Sequence, residues 1–410
     1  MTTRLFRAAS LCAGLTCLLS APVHAAGPPF KFGPTDIQNV AGVTPLGNLN
    51  PGGNHVLAVD HMYIGYPFPE TAGAFSYPVY AMAGGELVML FRTPVSGTSD
   101  QSYQIFIRHN ASLTFYYDHV HVLSDRILNY LASDPAGWVS VGGGDFQVMV
   151  FGQGGAPPPL RLSAGEEVAI TKSYTSAWDV GVIDRRVRAD LIGRGPRRYP
   201  GYAALFSAAG LNLVSPRLGN KITHAACFIN YLPLALKAAW FALLTSDPQS
   251  CGADGWDVVG RLRGAWFNSA VDAAATPPVF DLEQAALSII PDNNNPTARV
   301  QIGVGSGGTY SALDPAGAYP ELKHPFVIQI DTLSTHVNPD PASVAVSTGT
   351  VCYDLSYNHM GGPRYETLLF HMLGSRRVAV KYDPAWQSSP QCGFMTLPSS
   401  PDASWSVYKR

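Results

Sequence analysis

The chain has 410 residues, 14 % of them charged and 46 % hydrophobic, with 27 basic against 29 acidic side chains. That length holds two or three domains with cores of their own. The low charge, with 40 Gly and 33 Pro, excludes a disordered chain and fits strands and loops better than a helical bundle. The mildly negative balance excludes the basic surface that a nucleic-acid partner requires.

Residues 1–25 read as a signal peptide. Arg4 and Arg7 form a basic head, Leu11 to Ala21 an apolar centre, and Val23-His24-Ala25 the small-residue recognition site, with cleavage expected after Ala25 or Ala26. The mature chain is therefore expected to be secreted or periplasmic, with 25 basic and 29 acidic residues and a net charge of −4. No later stretch has the length of a membrane span. The best, Tyr231 to Leu244, is too short and contains Lys237.

Residues 26–52, rich in Pro, Gly and Asn, read as an extended arm. From 53 to 184 the pattern is β. Tyr77 to Phe91 predicts a strand, a Gly-Gly turn and a second strand. Tyr103 to His109 alternates in period two, and Ser112 to Tyr117 is aromatic and β-branched. A short helix is expected within Val120 to Leu131, and strands at Val148 to Phe151, Glu167 to Ile170 and Trp178 to Ile183. Residues 185–200 carry an Arg-rich run, "RRVRADLIGRGPRR", which reads either as a solvated linker or as a patch for an anionic polymer.

A helical, disulfide-bearing segment follows over 201–259. Pro233 suits a first helical turn, and "LALKAAWFALL" is rich in helix formers. Residues 260–410 return to strands (Ala298–Val304, Phe326–Ile330, Gly349–Tyr353, Tyr365–Met372 and Arg377–Tyr382) and predict a second β domain, a sandwich or small barrel. Gly303-Val-Gly-Ser-Gly-Gly308 lacks the pattern of a nucleophile elbow and reads as a turn. Four cysteines survive the signal: Cys227, Cys251, Cys352 and Cys392. An even count in an oxidising compartment predicts two disulfides. Three pairings are open, and proximity favours Cys227 with Cys251 and Cys352 with Cys392.

The candidate chemistry gathers in the first β domain. His55, His61, His109, His119 and His121 all fall there, as do Asp60, Asp118 and Asp179. Imidazole with carboxylate is the ligand mix of a hydrolytic metal site, and a further histidine can serve proton transfer. HExxH, Walker and dinucleotide motifs are absent.

Four ordered segments, "HVLAVD", "YPVYAMAGGELV", "FYYDHVHVLS" and "LSAGEEVAITKSYTSAWDVGVID", together resemble the lysostaphin-type zinc endopeptidases over about residues 50–184. The resemblance implies a peptidase-like β domain acting on peptide bonds of peptidoglycan or another cell-envelope polymer. It implies a divalent metal, zinc in that family, held by His55, Asp60 and Asp179, with His119 assisting proton transfer. His61, His121 and Tyr117 stand as supporting or alternative groups. Two departures accompany it. His55 and Asp60 are five apart where the family has four. The final His-x-His is missing, so only Asp179 can ligate from the last strand, and harder oxygen ligands widen the choice of metal. Two other readings stay open. One is a non-catalytic relative that binds an envelope glycan or protein. The other is a metal-free acid/base cluster of Asp60, His61, His119 and Asp179.

Overall fold

The computed structural model describes residues 28–49, 56–67, 75–132, 137–140, 146–174, 177–187, 224–246, 249–253, 256–268, 286–296, 299–304, 326–331, 338–359, 362–387 and 392–410. The signal peptide, His55 and the Arg-rich run beyond residue 187 lie outside them.

Period-two alternation builds the leading half. In the strand Ala177–Asp184, Trp178, Val180 and Val182 enter the main core, whereas Ile183 joins a smaller cluster on the opposite face. The neighbouring strand Leu113–Val120 does the same, sending Phe115 and Tyr117 one way and Tyr116 the other. Both faces are covered, which is why consecutive aromatics are fully buried here.

Twelve strands make up this half: β1 (Gly42–Thr44), β2 (His61–Gly65), β3 (Ser76–Tyr80), β4 (Gly85–Pro94), β5 (Gln101–Arg108), β6 (Leu113–Val120), β7 (Val122–Leu123), β8 (Val139–Ser140), β9 (Gln147–Val150), β10 (Leu160–Leu162), β11 (Glu167–Lys172) and β12 (Ala177–Asp184). They form one large antiparallel sheet of order β1-β2-β12-β6-β5-β4-β9-β8, with β10 on β4, and a small sheet β3-β11-β7. A helix, Asp125–Ala132, follows β7. The expected hairpin across Gly84-Gly85 does not form, because β3 and β4 belong to different sheets. A Cβ on Gly85 would meet the Arg108 carbonyl oxygen at 2.7 Å, so the glycine lets β4 run tightly beside β5 rather than fold back on β3.

The arm is extended but far from loose. Phe30 is wholly buried, with its ring 5.4 Å from Phe115, and β1 adds an edge to the large sheet. The helix expected after Pro233 spans Leu234–Phe241, and its Trp240 lies in the same core against Phe228. Cys227 is bonded to Cys251, and Cys352 to Cys392.

The trailing half is an eight-stranded antiparallel sheet of β13 (Gly264–Asn268), β14 (Ala286–Pro291), β15 (Arg299–Val304), β16 (Phe326–Asp331), β17 (Thr350–His359), β18 (Gly362–Gly374), β19 (Arg377–Gln387) and β20 (Ser406–Lys409). Its order is β16-β15-β14-β13-β20-β19-β18-β17. Trp266, Ile289, Ile302, Tyr353, Phe370, Val380 and Tyr408, drawn from β13, β14, β15, β17, β18, β19 and β20, share one apolar cluster, so the sheet curls around a single interior. Gly303, expected in a turn, sits inside β15.

The two halves meet at residues 46–49 and 56–59. Leu49, Val56, Leu57 and Ala58 pack on Ala265, Phe267, Ala286 and Ile290 of the trailing sheet. The Leu49 amide donates to Gln301 Oε1 at 2.8 Å, and the Asn293 amide to Asn48 Oδ1 at 3.0 Å.

Candidate metal centre

The site forms where β2, β12 and β6 run side by side. His61 pairs with Gly181 and Tyr63 with Asp179 across β2 and β12; Gly181 then pairs with Tyr116 and Asp179 with Asp118 across β12 and β6. Strand alternation places these side chains on one face of the large sheet. Gly181 decides the geometry of its row. A Cβ there would lie 2.0 Å from the Tyr116 ring, so the missing side chain leaves room for that ring to cross β12. Tyr116 then donates its hydroxyl to Asp60 Oδ1 at 2.7 Å.

Asp60 and Asp179 hold His61 between them. Nδ1 of His61 is 3.0 Å from Asp60 Oδ1, and Nε2 is 3.2 Å from Asp179 Oδ2. All three residues are buried. His119 Nε2 approaches the same Asp179 Oδ2 at 3.7 Å from the solvent side, its side chain 50 % exposed.

His119 reaches this position through an irregularity. Tyr103 pairs with Val120 but Ile105 with Tyr117, so Gln104 alone faces both Asp118 and His119. That is a β-bulge, and His119 takes a φ of 59°, the only non-glycine positive φ among the described residues. A regular strand would send Asp118 and His119 to opposite faces; the bulge brings both toward Asp179. Asp118 is fixed by the His119 amide, which donates to Oδ1 at 2.8 Å, and by Gln104 Nε2, which donates to Oδ2. One ligand atom from each of Asp118, His119 and Asp179 lies within 4.8 Å of the others, so the group could hold a metal ion. The chemistry of the set fits a cation. Two carboxylates directly opposite on paired strands repel one another, and a divalent ion between them reverses the sign of that interaction.

The expected residues are thus partly gathered. Asp179 is central. His119, expected to assist proton transfer, also stands within reach of a ligand group. Asp60 holds His61 and Tyr116 and lies outside the three-residue group, and its expected co-ligand His55 lies outside the described residues. Asp118, counted among the carboxylates of this domain but not placed in the expected ligand set, belongs to the three-residue group. Tyr117 points to the opposite face, where its hydroxyl donates to the Tyr80 carbonyl at 2.6 Å and accepts from the Met82 amide. Burial raises its pKa far out of the useful range, so it buttresses the core and is no candidate to polarise a substrate. His121, one of the supporting or alternative groups, is buried, and its Nδ1 accepts the Lys172 amide at 3.0 Å. Burial foremost, and then the nearby His119, push its pKa down to about 4, so it is a neutral structural imidazole. His109 likewise serves a turn, with Nδ1 at 2.7 Å from the Gly84 carbonyl oxygen.

No protein-family model matches the sequence, and no curated protein matches it. The lysostaphin-type resemblance therefore rests on its four quoted segments. The two disulfides accord with an oxidising compartment. No helix among the described residues is long and apolar enough to cross a membrane.

Proposed function

We propose that the protein is a secreted or periplasmic metal-dependent hydrolase that cleaves peptide bonds in a cell-envelope polymer. Asp118, His119 and Asp179 would hold the ion. The observation that supports this most is the convergence of their three ligand atoms within 4.8 Å, on a face reached from solvent at His119. A divalent ion bound there supplies Lewis acidity for a scissile carbonyl and an acidified water. The protein's part is positioning. His61, clamped by Asp60, fixes Asp179 from behind, the kind of outer support that orients ligating carboxylates. A set of two oxygens and one nitrogen admits Mn²⁺ as well as Zn²⁺. The peptide substrate and the envelope compartment come from the resemblance and the signal sequence.

The continuous chain Tyr116–Asp60–His61–Asp179–His119 favours a second reading, in which the same residues act without metal as an acid/base relay. Incubating mature protein with cell-wall sacculi and with casein, before and after chelation, separates the two. Peptide release that stops on chelation and returns with Zn²⁺ or Mn²⁺ is expected. Release untouched by chelator would overturn the metal reading in favour of the relay.

A further inference from the structure

The trailing sheet touches the segment that leads directly into the candidate site, and its contact is with backbone. Gly303 of β15 lies under Val56: a Cβ at that glycine would meet the Val56 carbonyl oxygen at 2.7 Å and its Cα at 2.9 Å. Backbone atoms cannot rotate aside as a side-chain end can, so any residue larger than glycine must displace the Val56 chain. Two residues earlier on the same face of β15, Gln301 is fully buried and accepts the Leu49 amide. Leu49 and Val56 lie, along the chain, between residues that are tied to each other. The Gly47 amide donates to the Val59 carbonyl at 3.1 Å, and the Val59 amide to the Asn48 carbonyl at 3.2 Å. The next residue is Asp60, whose carboxylate holds His61, which in turn holds Asp179.

We infer that β15 positions the candidate metal centre, with Gly303 and Gln301 setting where the Val56–Asp60 segment lies and hence where His61 presents Nε2 to Asp179. The inference rests on the metal reading of that site, and it gives the trailing sheet a role in the site itself. Gly303 and Gln301 are positioning residues; neither touches the ligand atoms. Small displacements of ligand-orienting groups weaken metal binding by roughly ten- to a hundred-fold.

The test compares Gly303→Ala and Gln301→Met with Gly374→Ala, a control in the same sheet whose added Cβ meets nothing within 4 Å. Zn²⁺ affinity is read by titration, fold by circular dichroism, and the environment of the His61 ring by NMR. Zn²⁺ affinity should fall by about tenfold or more in Gly303→Ala and Gln301→Met. The His61 ring signals should shift in both, while the control matches wild type in every respect. A folded Gly303→Ala with wild-type affinity and unshifted His61 signals would overturn the inference. Should Gly303→Ala fail to fold, Gln301→Met decides by the same two readouts. Should wild type bind no Zn²⁺, the metal reading falls, and the His61 signals alone decide whether β15 positions this segment.

Discussion

The leading and trailing sheets both bury polar side chains, but satisfy them differently. In the trailing sheet Arg410 is buried with its guanidinium 3.8 Å above the Trp266 ring, and it donates to the carbonyls of Val258 at 2.7 Å, Leu262 at 3.1 Å and Arg263. These three carbonyls are neutral backbone, fixed and unable to exchange protons. In the leading sheet Asp60, His61, Asp179 and His119 lean on one another. Every one of those partners is an ionisable side chain of a type that can ligate a metal. The first arrangement locks a fold; the second can trade a proton or a cation with solvent, which is what a reactive site requires.

The largest effect that would break this contrast lies in the trailing interior. Trp266→Ala should cost about 3–5 kcal/mol by opening a cavity, measured by denaturant unfolding, and should leave Zn²⁺ affinity of the still-folded fraction unchanged. Next, Asp179→Asn should weaken Zn²⁺ binding by about a hundredfold or more in a titration, with the sheet intact by circular dichroism. Arg410→Met should lose about 1–3 kcal/mol, since it strips charged donors from buried carbonyls, again with no change in metal binding.

His119→Gly sharpens the comparison, because it should move stability and function in opposite directions. Glycine accepts the positive φ that histidine tolerates at a cost. The variant should therefore unfold at an equal or slightly higher temperature while losing the metal. A fall in stability of 1 kcal/mol or more, on the order of a lost core contact, would mean that the imidazole is structural.

The smallest effect concerns acid. The folded-state pKa of His121, about 4, lies below its ordinary 6.5, so the unfolded chain takes up the proton first. Its contribution is complete above pH 6.5 and is lost as pH falls from 6.5 toward 4. Replacing His121 with Asn should flatten the pH dependence of stability across that window, as read from denaturation midpoints.

Much of the architecture was legible because alternation and turn residues report local geometry. The strand Arg299–Val304, the helix after Pro233 and both disulfides stand where residue pattern and spacing put them. The strand partners were not legible. Tyr77 to Phe91 looks like a hairpin, yet the two strands it contains enter different sheets, because pairing is settled by distant segments such as β11 and β5. The site was half legible for the same reason. "YDH" marks a strand carrying candidate ligands, but only the bulge opposite Gln104 turns both Asp118 and His119 toward Asp179, and a bulge depends on the register with β5. Nothing in the sequence around Gly181 tells what the missing side chain is for. It is the opening that Tyr116 needs to reach Asp60. Gly303 looked like a turn because its neighbours in sequence are glycines; its role depends on Val56, far away along the chain.

The most direct measurement is the metal content of the mature protein after equilibrium dialysis against Zn²⁺, with wild type beside an Asp118→Asn, Asp179→Asn double variant. One ion per wild-type chain and none in the double variant is the predicted result. No bound ion in the wild type, or the same content in both, would contradict the account.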